Sequence, residues 1–123
     1  MTVLIDSWAW IEYLKGTPKG STAKKFIEGE EDIVISTINI AEVYKYYLSR
    51  QPEKAKSIIE ELIGRTLTVP VGTTIALEAA RIRHEKKFGL GDAIILATAR
   101  EKNARIVTGD PDFKNEKETI FIG

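Results

Sequence analysis

The stretch GDAIILATAREKNARIVTGD, residues 91–110, decides the fold. From Asp92 to Asn103 it is nearly all apolar through Ala99 and rich in helix formers, so it reads as a helix covered on several sides. Arg105 to Thr108 is a short β-branched run and reads as a strand. A helix that feeds a strand of a parallel sheet must begin beside the carboxyl ends of the strands. Asp92, at the start of the helix, and Asp110, just past the strand, therefore fall at one edge.

The same alternation extends outward in both directions. Thr2 to Ile5, Ile33 to Ile35, Thr66 to Val69 and Thr119 to Ile122 read as further strands. Between them, Ser7 to Lys15, Thr22 to Gly29, Thr37 to Arg50 and Thr74 to Phe88 read as helices. Another opens at Pro52 and stops at Gly64. Within 37–50, Ile40, Val43, Tyr44 and Tyr47 recur at i, i+3, i+4 and i+7. No repeat, low-complexity tract or long linker divides the chain. The expected fold is α/β: a three-layer α/β/α sandwich with a central parallel sheet of about five strands, one domain over residues 1–123.

Composition narrows the chemistry. Of 123 residues, 43% are hydrophobic, enough for a real core, so wholesale disorder is excluded. The absence of cysteine removes disulfide scaffolds, thiolate zinc sites and thiol nucleophiles. A single histidine, His84, removes poly-histidine metal sites. Eighteen basic residues balance eighteen acidic ones. No global positive field draws this chain to nucleic acid, which argues against a plain DNA-binding module. The opening MTVLID has no basic start and does not read as a secretory signal. The longest uncharged run, Thr66 to Leu77, contains Pro70 and Gly72 and falls short of the ~20 residues of a membrane span. A cytoplasmic protein without a membrane partner is expected.

The topology brings further acids to the edge that holds Asp92 and Asp110. Asp6 ends the first strand. Glu42 lies roughly 9 Å into a helix that starts at the same edge. Asp112 is two residues past Asp110. Each acid alone has a structural role to hand: Asp6 as a helix cap, Glu42 as partner of Lys45, Asp92 as a charge at a helix start, Asp110 with Pro111 as a turn. Together they repel, by roughly 3 kcal/mol for two carboxylates ~5 Å apart at an effective dielectric of 20. Four such groups need raised pKa values or a cation, and hard oxygen ligands suit Mg²⁺ or Mn²⁺. Hydration water on such an ion supplies a nucleophile for phosphodiester hydrolysis.

Four stretches now resemble a known family: LIDSWAWIEYL with Asp6, STINIAEVYKY with Glu42, GLGDAIILATA with Asp92, and IVTGDPDF with Thr108, Asp110 and Asp112. In order and spacing, over essentially the whole chain, they resemble the PIN domain, and in size a VapC-type toxin ribonuclease. The resemblance implies Asp6, Glu42, Asp92 and Asp110 as metal ligands, Thr108 as a hydroxyl supporting Asp6 or a water, and Asp112 as an auxiliary acid. It also implies Mg²⁺- or Mn²⁺-dependent endoribonuclease action on RNA, a homodimer, and a cognate antitoxin. A non-catalytic binding domain, whose acidic pocket receives a basic residue of a partner, is the competing reading.

Two other features stand out. Trp8, Trp10, Tyr13 and Leu14 crowd one short helix, and two readings stand side by side: Trp8, Ile11 and Leu14 enter the core with Trp10 and Tyr13 partly exposed, or the aromatics make a dimer or antitoxin contact. Glu12 is expected to face solvent. Arg81, Arg83, His84, Lys86 and Lys87 form a basic segment, read first as a solvated helix face.

Overall fold

A computed structural model describes residues 1–123. The chain alternates as β1 (Thr2–Ile5), α1 (Ser7–Lys15), α2 (Pro18–Ile27), β2 (Asp32–Ser36), α3 (Thr37–Arg50), α4 (Pro52–Arg65), β3 (Leu67–Val69), α5 (Thr73–Glu85), α6 (Leu90–Glu101), β4 (Arg105–Thr108) and β5 (Thr119–Phe121). All five strands are parallel, in the order β3-β2-β1-β4-β5. The expected sandwich is the one observed.

Strand alternation sends neighbouring side chains to opposite faces, and the two faces build two cores. Leu4, Val34, Val69 and Ile106 meet Ile75, Ala79 and Ile82 of α5 and the α6 run Ala93 to Ala99. Val3, Ile5, Ile35 and Val107 meet Ala9 and Trp10 of α1, Ala23 and Ile27 of α2, Val43 and Tyr47 of α3, and Ile59 and Leu62 of α4. Helix α6 is buried along seven consecutive residues, as its apolar sequence demands. No helix is long and apolar enough to cross a membrane.

Several boundaries move for local reasons. Helix α2 starts at Pro18 rather than Thr22, because Thr17 caps it through Gly20 N–H at 3.1 Å and Pro18 fits its first position. Helix α6 starts at Leu90, so Asp92 sits inside the first turn instead of opening it. Helix α5 ends at Glu85, and Phe88 turns in to stack on Phe113 at 5.3 Å. Gly64 does not stop α4, which runs on to Arg65.

The α1 aromatics exchange places with respect to expectation. Trp10 is fully buried, while Trp8 is half-buried. The face of α1 turned to the sheet is set by the small Ala9 beside Trp10, leaving Trp8 and Ile11 on a flank. Glu12 is also drawn out of solvent, accepting from the Thr17 hydroxyl at 3.2 Å. The basic segment is the solvated face expected: Arg81, Arg83, His84 and Lys87 are exposed, with Arg83 donating to the Phe88 carbonyl at 3.3 Å and the half-buried Lys86 pairing with Glu116 at 3.3 Å.

Helices α1 and α2 touch backbone to backbone at Gly20, where a Cβ would overlap the Glu12 carbonyl and lie 2.7 Å from Tyr13 Cα. Gly20→Ala is expected to destabilise the protein by about 2 kcal/mol, because neither backbone can give way without separating the helices. Chemical denaturation measures it; an unchanged midpoint contradicts the contact.

Candidate functional site

The connections run outward from β1 through β2 to β3 on one side and through β4 to β5 on the other, so the carboxyl ends of the adjacent strands β1 and β4 open a crevice. The crevice is a cleft of about 630 Å³, lined by Asp6, Glu42, Asp92 and Asp110 among others. Four carboxylates separated by up to 104 positions (Asp6 to Asp110) thus share one cavity, as the topology requires.

Asp6 caps α1: its Oδ1 accepts from Ala9 N–H at 2.8 Å. Its backbone N–H continues the sheet, donating to the Val107 carbonyl at 3.1 Å. The Thr108 hydroxyl donates to Asp6 Oδ2 and accepts the Asp110 N–H at 3.0 Å, so one buried side chain aligns two acids from adjacent strand ends. Asp110 Oδ1 in turn accepts the Asp112 N–H at 2.9 Å and opens a short 3-10 turn, Pro111–Phe113, anchored by buried Phe113. This turn brings Asp112 in: Asp92, Asp110 and Asp112 each place a carboxylate oxygen within 4.8 Å of the others.

Glu42 is held from the opposite wall. Ser36 and Asn39 form a capping box at the start of α3. The Asn39 amide donates to Ser7 Oγ at 2.9 Å, and Ser7 Oγ donates to Glu42 Oε1 at 2.6 Å. Glu42 Oε2 lies 3.6 Å from where a Cβ on Gly91 would stand, so it reaches the first turn of α6 beside Asp92. Ser7 and Asn39 escaped the sequence reading. The Ser-x-x-Asn pattern at 36–39 could have flagged the cap, but no local pattern links Asn39 to Ser7, 32 residues away.

The electrostatics are those of crowded acids. Burial pushes the Asp6 carboxyl from 3.8 up to about 6, with further upward pressure from Asp110 and Asp92, against the opposing hydrogen bonds from Thr108 and Ala9 N–H. Burial likewise raises Asp92 to about 6, assisted by Asp110, Asp112 and Glu42. Excess negative charge in a partly dry cleft calls for a cation. Without thiolates or imidazoles, the donor set is hard oxygen and fits Mg²⁺ or Mn²⁺.

The sequence pattern of the PIN domain matches residues 3–117. Among solved structures, a toxin–antitoxin complex from Klebsiella pneumoniae aligns at a TM-score of 0.84 with 22% identity, covering 98% of both chains. VapBC-1 from nontypeable Haemophilus influenzae aligns at 0.78 with 21% identity, covering 99% of this chain and 98% of that one. VapC20 of Mycobacterium tuberculosis, a toxin that cleaves the sarcin–ricin loop, aligns at 0.73 with 18% identity, covering 94% and 95%. No curated protein matches this sequence.

Proposed function

Because the chain belongs to the PIN-domain family, we propose that it is a Mg²⁺- or Mn²⁺-dependent endoribonuclease hydrolysing RNA phosphodiester bonds, the toxin of a toxin–antitoxin pair. The observation that carries this reading is the shared cleft of Asp6, Glu42, Asp92 and Asp110, two of them with pKa values raised to about 6. In this reading those four acids hold the cation, and Asp112 assists from the turn. When bound, the ion supplies Lewis acidity toward the phosphoryl oxygens and a nucleophile from its hydration water. Thr108 fixes Asp6 and the Asp110 backbone in one register, and Ser7 fixes Glu42. The protein acts in the cytoplasm as a homodimer, restrained by a cognate antitoxin protein. The Klebsiella neighbour, itself a toxin–antitoxin complex, supports such a partner.

The test is cleavage of single-stranded RNA by the purified protein. Scission in millimolar Mn²⁺ or Mg²⁺, absent in excess chelator, supports the reading; equal scission in chelator overturns it. The same assay checks the role of Thr108. Thr108→Val keeps the buried shape but leaves Asp6 Oδ2 without its donor and the Asp110 N–H without its acceptor. Cleavage and Mn²⁺ affinity are expected to fall about 10-fold or more, as when ligands lose their supporting hydrogen bonds. Calorimetry showing unchanged Mn²⁺ affinity contradicts that role.

A further inference from the structure

The cleft has two ends of different character. The acids line one; Trp8, Ile11 and Lys15 of α1 and Tyr46 of α3 line the other. Trp8, Ile11 and Lys15 share one face of α1, while Asn39, Glu42 and Tyr46 share one face of α3. Each helix therefore carries the cleft away from the strand ends, about 10 Å from Trp8 to Lys15.

Both aromatic rings at this end are held in place. The Trp8 ring lies flush on Gly109, where a Cβ would overlap it, and so stands beside Asp110. Tyr46 packs edge-on against buried Tyr47, centroids 5.1 Å apart at 75°, and the Arg50 guanidinium sits 3.9 Å from its ring centre. Neither ring is consumed by the core, whose places are filled by Trp10 and Tyr47; Trp8 and Tyr46 remain partly exposed.

The charge at this end also differs. The Lys19 ammonium lies 5.7 Å from the Trp8 ring centre, and Lys15 lines the cleft itself. The one acid here, Glu12, is answered by Lys15 at 3.8 Å and by the Thr17 hydroxyl. Two ordered aromatic surfaces flanked by Lys15, Lys19 and Arg50 adjoin an acidic pocket. That combination matches a single-stranded polyanion carrying flat bases.

We propose that Trp8 and Tyr46 form a stacking wall for an unpaired nucleotide next to the scissile phosphate, with Lys15, Lys19 and Arg50 facing the RNA backbone. The inference rests on the ribonuclease reading. It explains how a chain of zero net charge holds RNA: attraction is local to the wall rather than spread over the surface. It also selects single strands, because bases stacked within a duplex cannot lie on side-chain rings.

The experiment uses the full chain and a short single-stranded RNA. In the cleavage assay with Mn²⁺, Tyr46→Ala is expected to raise KM about tenfold or more while kcat changes by less than about threefold, since stacking acts on binding. Tyr46→Phe is expected to restore most of the lost affinity, since the ring and not the hydroxyl is used. In the Asp92→Asn protein, where the RNA stays intact, the same RNA is expected to quench tryptophan emission; Trp8→Leu in that background abolishes the quenching, because Trp10 is fully buried. An unchanged KM in Tyr46→Ala, a loss confined to kcat, or emission that ignores saturating RNA overturns the wall. Failure of the wild-type protein to cleave in Mn²⁺ overturns the ribonuclease reading instead, and the emission titration then decides the wall by itself.

Discussion

Asp92→Asn is expected to reduce RNA cleavage about a thousandfold while leaving the metal-free protein folded and no less stable at pH 7.5. The substitution keeps size and shape. No hydrogen bond stabilises the Asp92 carboxylate, and its neighbours Asp110, Asp112 and Glu42 only oppose its charge. Removing that charge relieves repulsion in the cleft and, in the proposed function, removes an oxygen ligand for the cation. Stability and activity therefore move apart, which a merely structural aspartate would not produce. Asp6→Asn is a less clean version. There the amide would replace Oδ2 opposite the Thr108 hydroxyl, which must then turn to accept, giving up part of the gain. Single-turnover cleavage and a thermal melt on the same preparation check both halves. A loss of activity below about tenfold, or a melt well below wild type, contradicts the assignment.

The second large effect is linkage between protons, cation and stability. For Asp6 the folded pKa, about 6, stands above its ordinary 3.8. The folded state therefore binds the proton more tightly than the unfolded chain. The stability gained is fully present below about pH 3.8 and is lost as pH rises through about 6. For this nearly buried group the whole span is worth about 3 kcal/mol. Asp92 moves in the same direction, with a smaller contribution because it is more open to solvent. Metal-free protein is accordingly expected to melt higher at pH 5 than at pH 7.5, the reverse of a protein held by salt-bridged carboxylates. Saturating Mn²⁺ is expected to restore about 2–3 kcal/mol at pH 7.5, as for a ligand at ~100 times its dissociation constant. At pH 5 it restores little, because protons already occupy the site. Melts at both pH values, with and without Mn²⁺, measure all four corners. A Mn²⁺ effect equal at pH 5 and pH 7.5 contradicts the linkage.

The parts of the fold legible in the sequence were those written as periodicity. Short β-branched runs alternating with amphipathic helices specified a parallel sheet, and parallel connections then fixed which end each helix starts from. The convergence of Asp6, Glu42, Asp92 and Asp110 followed from this topology. The illegible parts depend on contacts between distant elements. A nine-residue helix apolar nearly all round, SWAWIEYLK, does not announce its inward face. Trp8 stays on the flank because Gly109, 101 positions later, leaves room for its ring. Glu12 looked like a solvent-facing helical acid, yet Thr17 and Lys15 hold it at the cleft. Asp112 could not be told from a turn residue until the 3-10 turn placed its carboxylate with those of Asp92 and Asp110.

β1 lies in the middle of the sheet, yet it pairs with β4, which is made long after it, with Leu4 registered against Ile106. A ribosome must therefore advance 102 positions beyond Asp6 before Asp6 can meet Thr108. Nascent or prematurely terminated chains that lack β4 cannot bring these side chains together, so the acidic cleft takes shape only after β4 has been made and has paired with β1.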